Sequence, residues 1–285
     1  MPLNTATVGG QSQPFPHRID ARWTMAYAAA LDDLLPAYMD TLAGGVVAHP
    51  VFPVCLEWPA ILDCVNIPGS ELATAQERAR GVHAAHDLHL FRPLRAGEKL
   101  TTQATVVGLE AIKPGAAQTT RLDTVAEDGE LVARTYQLGI TRGVSISGEA
   151  VVVESAPDLP KFYGDAEVAR WQLAVPGGAA HTYTECARIW NPIHTDQAVA
   201  VAAGLPDIIL HGTATLALAI SRLVSECLSG DPTRVTRLGG RFSAMVLMPS
   251  TLTLVLHRDQ DGEISFTMFN EQGERAISHG FLCHK

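Results

Sequence analysis

Residues 191–212 read Asn191-Pro192-Ile193-His194-Thr195-Asp196-Gln197-Ala-Val-Ala-Val-Ala-Ala-Gly204-Leu-Pro-Asp-Ile-Ile-Leu210-His211-Gly212. Asn191-Pro192 initiates a turn, because the pyrrolidine ring fixes φ and the asparagine side chain bonds its own backbone. The spacing predicts that His194 opens an Ala/Val helix, which Gly204 ends in a left-handed cap. A second, apolar helix follows over Thr213–Val224, with Gly212 at its opening. The first N–H groups of a helix lack an internal acceptor and lie at the positive end of its dipole. The Gly212 amide is therefore placed to hold a developing negative oxygen.

The two sides of the chain repeat one order. The first has Leu94-Arg-Ala-Gly97-Glu-Lys-Leu100-Thr-Thr and then Asp128-Gly129; the second has Val246-Leu-Met-Pro249-Ser-Thr-Leu252-Thr-Leu and then Gln272-Gly273. Each is a turn entering an alternating strand, then a glycine turn and another strand. Copies about 150 residues apart suggest duplicated modules. The strands are expected at Leu100–Leu109, Ala117–Ala126 and Glu130–Thr141, and again at Ser243–Leu256, Glu263–Phe269 and Arg275–Cys283. The stretch Glu154–Gly178, with Pro157, Pro160 and Pro176, reads as a linker or strand-poor crossover. A helix before each set of strands makes the class α+β.

Composition narrows the function. The 285 residues are 47% hydrophobic with a net charge of −9. An acidic chain of this kind excludes a nucleic-acid groove or an anionic membrane surface as the main partner. Five cysteines without metal-ligand or C-x-x-C spacing read as reduced thiols, hence a cytoplasmic protein. The first twenty residues carry no apolar core of a secretory signal, and no apolar run reaches membrane-spanning length. No glycine-rich nucleotide motif appears, so nucleotide-dependent redox or phosphoryl-transfer chemistry is not expected. His83, His86 and His89 do not form a metal set: on a strand His86 points away from the other two, and no cysteine or glutamate completes the ligands. No metal and no cofactor are expected.

The 191–212 block resembles the hydratase 2 motif of the MaoC-like dehydratases, whose pattern runs Ser-Gly-Asp-x-Asn-Pro-x-His-x-Asp with a later Leu-His-Gly. Gly81-Val-His83-Ala-Ala-His86-Asp-Leu-His89-Leu-Phe-Arg-Pro-Leu94 resembles the segment that enters the first sheet of that family. The resemblance covers roughly residues 20–145 and 175–285, and it implies two fused hot-dog modules, each a long helix wrapped by an antiparallel sheet. Residues 1–155 would form an N-terminal module that has lost the motif and widens the acyl tunnel; residues 156–285 would carry the motif. The implied activity is hydration of a 2-enoyl thioester, or dehydration of an (R)-3-hydroxyacyl thioester, on a CoA or carrier-linked substrate, in a possible homodimer. The alternatives are a hot-dog thioesterase and a non-catalytic acyl-thioester binding subunit.

By the same resemblance His194 is the acid/base, the Gly212 N–H stabilises the thioester enolate, and Asn191 holds the turn or orients water. Asp196 caps the following helix. The chain departs from the pattern where Ala187, Arg188 and Ile189 stand for Ser, Gly and Asp. Isoleucine accepts no proton, which leaves three ways to complete the chemistry. Glu185 would enter the site if residues 181–186 form a strand sharing a face with Tyr183 and His181. His194 would otherwise act alone, or the substrate would bring a carboxylate held by Arg188. Arg188, His211, Tyr183 and His83 are the candidate substrate-binding residues. Lys113, Arg237 and Arg241 are candidate contacts for CoA phosphates.

Overall fold

The computed structural model describes residues 2–78, 80–161, 164 and 166–285. The helices are α1 (Ala21–Ala29), α2 (Pro36–Met39), α3 (Pro53–Asp63), α4 (Ala75–Arg78), α5 (Ala179–Ala187), α6 (Gln197–Ala202) and α7 (Gly212–Cys227). The strands are β1 (Leu3–Asn4), β2 (Phe15–Arg18), β3 (Gly81–Leu90), β4 (Lys99–Ile112), β5 (Gly115–Ala126), β6 (Leu131–Arg142), β7 (Ile146–Ser147), β8 (Val151–Val152), β9 (Ala169–Val175), β10 (Val235–Phe242), β11 (Ser250–Gln260), β12 (Glu263–Phe269) and β13 (Arg275–His284).

Two compact units result, and they interleave along the chain rather than following a single cut near residue 155. One comprises Met1–His17, Leu56–Leu88 and Lys99–Leu159; the other Arg18–Cys55, His89–Glu98 and Pro160–Lys285. In the second unit the early segments are tied by backbone bonds: Gly97 N–H donates to Ile19 O, Ile19 N–H to Glu98 O, and Ala48 N–H to Leu94 O.

The first unit is a sheet ordered β2-β4-β5-β6-β3, with β8 added on β4. The long antiparallel ladder pairs Thr102 with Thr124 and Leu122 with Thr135. On the covered face Ala104 and Leu122 meet Ala60 of α3, with Phe15, Ile61 and Cys64 around them. Small residues at this contact let the helix approach the sheet closely. Glu57, one turn earlier on α3, is buried on the same face and accepts a hydrogen bond from the Thr135 hydroxyl.

The second unit is an antiparallel sheet ordered β10-β13-β12-β11-β9, with α7 lying on β10 and β13. α7 buries Ala214, Leu216, Ala217, Ala219, Ile220, Leu223 and Val224. That broad apolar face is the stripe its sequence announces.

Several expectations need correction. Residues 181–186 are helical, inside α5, not a strand. The buried positions Ala180, Tyr183, Thr184 and Ala187 recur at helical spacing. The strand expected from Ser243 begins at Ser250, and Val235–Phe242 forms a strand of its own. The linker 154–178 contains β9, which pairs with β11 from Ala169 to Val175; its residues Phe162, Tyr163 and Asp165 lie outside the described residues. His194 closes a 3-10 turn over Pro192–His194, and α6 starts only at Gln197. The rings of His83 and His86 do not point apart: their centroids lie 5.2 Å from each other. His86, Asp87 and Leu88 are all buried in succession, so strict alternation fails on this stretch of β3. Among the described residues, no helix is long and apolar enough to cross a membrane.

Candidate active site

The site is assembled in the second unit from α1, α5, the Asn-Pro turn and the opening of α7. α1 is capped by Asp20, whose carboxylate accepts the Trp23 N–H at 2.8 Å. Trp23 and Tyr27, four residues apart, share a helix face and meet Phe52 edge-on at 5.1 and 5.5 Å between centroids. Tyr27 continues to Tyr183 of α5 at 5.6 Å, and Tyr183 to His211 at 5.0 Å. A row of rings thus runs from Trp23 to the opening of α7.

Hydrogen bonds fix that row. The Tyr183 hydroxyl lies 3.2 Å from the Tyr27 hydroxyl and donates to Thr213 Oγ1 at 3.1 Å. Burial pushes both phenols to higher pKa, so both are neutral donors. Thr213 is the second residue of α7, so Tyr183 holds the helix start beside Gly212.

The turn supplies the imidazole. Asn191 Oδ1 accepts the Ile193 N–H at 3.4 Å, and Asp196 caps α6 by accepting the Val199 N–H at 3.2 Å. Gly204 takes the left-handed conformation, with φ 84°. His194, 9% exposed, has its Nδ1 2.7 Å from the Ile209 carbonyl. A carbonyl accepts only, so Nδ1 carries the proton and Nε2 is the basic nitrogen. The His194 ring stacks on His211, with centroids 3.6 Å apart and planes inclined by 25°. His211 Nε2 lies 3.2 Å from Thr184 Oγ1.

Both imidazoles are held neutral. Burial pushes the His194 pKa down to about 4, against the opposing pull of the Ile209 carbonyl. For His211, burial and then His194 push it down to about 2, opposed by the Ile189 backbone. No bond of good geometry reaches His211 Nδ1, so the Ile189 carbonyl acts on it as a nearby dipole rather than as a full partner. A charge on either ring would lie against the other in a poorly solvated place.

Gly212 is the first residue of α7, and the ladder begins with Thr215 N–H on His211 O. Its own N–H therefore has no acceptor within the helix. A Cβ at Gly212 would stand 3.1 Å from the Phe242 ring, so glycine also permits the close seat of α7 on β10. The two candidate roles of this glycine coexist.

His194, His211, Gly212 and Tyr183 are thus brought together, with Asn191 in the turn. Ile189 is buried, 6% exposed, and offers only its backbone. Glu185 is exposed, on the α5 face opposite Tyr183, because a helix turns alternate residues away from each other. Arg188 caps α5 in the left-handed region, with φ 58°, and its guanidinium carbon lies 3.8 Å over the Trp23 ring. His83 belongs to the first unit, where its Nε2 lies 3.1 Å from the Ala85 carbonyl and burial pushes its pKa down to about 3. Thr184, Thr213, Tyr27, Trp23 and the Ile209 carbonyl escaped sequence reading. Only the helical spacing of Ala180, Tyr183, Thr184 and Ala187 carried a signal for any of them.

Comparison with known proteins bears on the family and fold of each half of the chain. A family model for the MaoC-like domain matches residues 177–278, and one for the FAS1-like dehydratase domain region matches residues 6–135. The chain is 27% identical over 212 residues to the peroxisomal enoyl-CoA hydratase 2 of Arabidopsis thaliana, which spans 71% of this chain and 67% of that protein. It is 25% identical over 271 residues to 3-hydroxyacyl-thioester dehydratase Y of Mycobacterium tuberculosis, covering 93% of this chain and 91% of the relative. Among solved structures, a MaoC-like dehydratase from Phytophthora capsici superposes with a TM-score of 0.84 at 19% identity, covering 98% of this chain and 97% of the other. A Mycobacterium tuberculosis protein described as a double hot-dog fold gives 0.64 at 17% identity, with 96% of each chain covered. The fold is that of the double hot-dog, and the chain carries a MaoC-like dehydratase domain over residues 177–278 and a FAS1-like dehydratase region over residues 6–135.

Proposed function

We propose that the protein adds water reversibly to a 2-enoyl thioester, forming or consuming a 3-hydroxyacyl thioester. The observation that carries this reading is the neutral His194, with Nδ1 spent on Ile209 O and its ring stacked against the residue that precedes Gly212. His194 Nε2 takes a proton from water as the water oxygen bonds to the β-carbon. The electron pair of the double bond moves through the α-carbon to the thioester oxygen, which the Gly212 N–H receives. The imidazolium then returns the proton to the α-carbon, so one molecule of water is added and the base is regenerated. An imidazole with a pKa near 4 is a weak base and a strong conjugate acid, which favours the return step. Asn191 holds the turn that presents His194.

Ile189 removes a carboxylate from hydration and from thioester hydrolysis alike, and no further observation favours hydrolysis. We assign the substrate as a CoA or carrier thioester, the 1–155 and 156–285 stretches as the two ancestral modules, the location as cytoplasmic and the assembly as a homodimer. These assignments rest on the relatives and on composition. Crotonyl-CoA and mesaconyl-CoA test the activity: enoyl absorbance should fall without release of thiol, and His194→Ala should slow that loss by about 10²–10⁴. Thiol release would make the protein a thioesterase, and binding without either change would make it a non-catalytic subunit.

A further inference from the structure

Arg188 stands where the family pattern has glycine, and its backbone takes φ 58° at the end of α5. Glycine adopts that conformation freely, whereas another residue is destabilised there by about 1–2 kcal/mol. The side chain gains a defined seat: the guanidinium carbon lies 3.8 Å from the centre of the Trp23 ring, whose indole N–H donates to the Cys186 carbonyl at 3.0 Å. A cation–π contact of this kind engages none of the guanidinium N–H donors in a hydrogen bond, so they stay available to an acceptor.

Many arginines of this acidic chain are engaged by carboxylates: Arg92 by Glu98, Arg134 by Asp123, Arg222 by Glu226 and Arg258 by Asp261. Arg188 is exposed, and no hydrogen bond or ion pair to another described residue engages its guanidinium. It lies one helical turn beyond Thr184, which touches His211, and next to Ile189, where the site has lost its acid. A cation seated on an aromatic ring, with no carboxylate partner among the described residues, can receive an anion.

We propose that Arg188, seated on Trp23, clamps a carboxylate carried by the acyl group, so the substrate class is the thioester of a dicarboxylic acid. The proposal rests on the thioester reading of the site. A bidentate pair between the guanidinium fork and a carboxylate fixes the orientation of the chain as well as its charge.

Binding tests this without turnover. Succinyl-pantetheine and butyryl-pantetheine are saturated, lack the phosphates of CoA and differ by one carboxylate. Calorimetry on the wild-type protein should give at least tenfold tighter binding of the succinyl thioester. Arg188→Gln should reduce that ratio to about one, and Arg188→Lys should retain part of it, since lysine keeps the charge and loses the fork. Raising the salt concentration should shrink the wild-type ratio. Equal binding of the two thioesters by the wild type, or a ratio that survives Arg188→Gln, overturns the clamp and leaves the hydration reading intact. An Arg188→Gln effect seen equally with succinyl-CoA and butyryl-CoA, and with neither pantetheine thioester, assigns the arginine to phosphate and overturns the carboxylate. Binding of neither thioester by the wild type overturns the thioester site itself.

Discussion

His194 and Gly212 are separated by eighteen residues of chain and joined by one ring contact, the stack of His194 on His211. Removing the imidazole with His194→Ala should lower kcat for crotonyl-CoA hydration by about 10²–10⁴, while far-UV circular dichroism stays at the wild-type level. Because protonation of His194 lies near pH 4, kcat/KM should be flat from neutral pH to about pH 5 and fall below it. A limb near pH 6.5 would mean that the base is a solvated histidine, not this one. Gly212→Ala presses a methyl toward the Phe242 ring at 3.1 Å and tilts the amide. The expected result is a loss of about tenfold in kcat with KM nearly unchanged, since small misplacements of a catalytic donor are felt in the transition state. At this scale the motif residues were legible, because Asn-Pro, His and Leu-His-Gly each carry a local conformational requirement. The partners of those residues were not: the Ile209 carbonyl, Thr184 and Tyr27 are met only after folding, and no spacing encodes them.

The elements differ in how openly they announce themselves. β12 was read to the residue and α7 to within three, because each carries a sustained period. The condition that would bring Glu185 into the site, a strand over residues 181–186, is not met because α5 is a helix; six residues are too short a window to separate a period of 2 from one of 3.6. Two substitutions test the stability of these elements. Asp196→Ala removes the cap of α6 and should cost about 1 kcal/mol in urea unfolding. Arg188→Gly relieves the left-handed strain and loses the cation–π contact, worth about 0.5–1 kcal/mol. The net expectation is an unfolding free energy between that of the wild type and about 1.5 kcal/mol above it.

For the molecule as a whole, pH acts through groups that folding has kept uncharged. His49, His83, His86, His194 and His211 are all held below the ordinary histidine range, chiefly by burial. The unfolded chain then binds more protons than the folded one below about pH 6.5, so stability falls as pH drops from 6.5 toward 4. Glu57 acts in the opposite sense. Burial raises its pKa from 4.5 to about 7, so its share of stability is full below the unfolded value and is lost as pH rises from there through 7. Glu57→Gln should therefore raise the thermal midpoint at pH 8, by an equivalent of about 3 kcal/mol, and change it much less at pH 5. A variant no more stable at pH 8 would show that Glu57 is already solvated.

The amino-acid order alone determined the α+β class, most of the long strands, the turn before His194 and the glycine-opened helix, since all of these follow from local period and backbone preference. Tertiary structure decided which nitrogen of His194 is basic, that Glu185 faces away from Tyr183, that Arg188 stacks on Trp23, and that residues 18–55 join the unit that holds the motif. Those outcomes depend on burial and on partners distant in sequence, and such contacts come into being only when the chain has closed on itself.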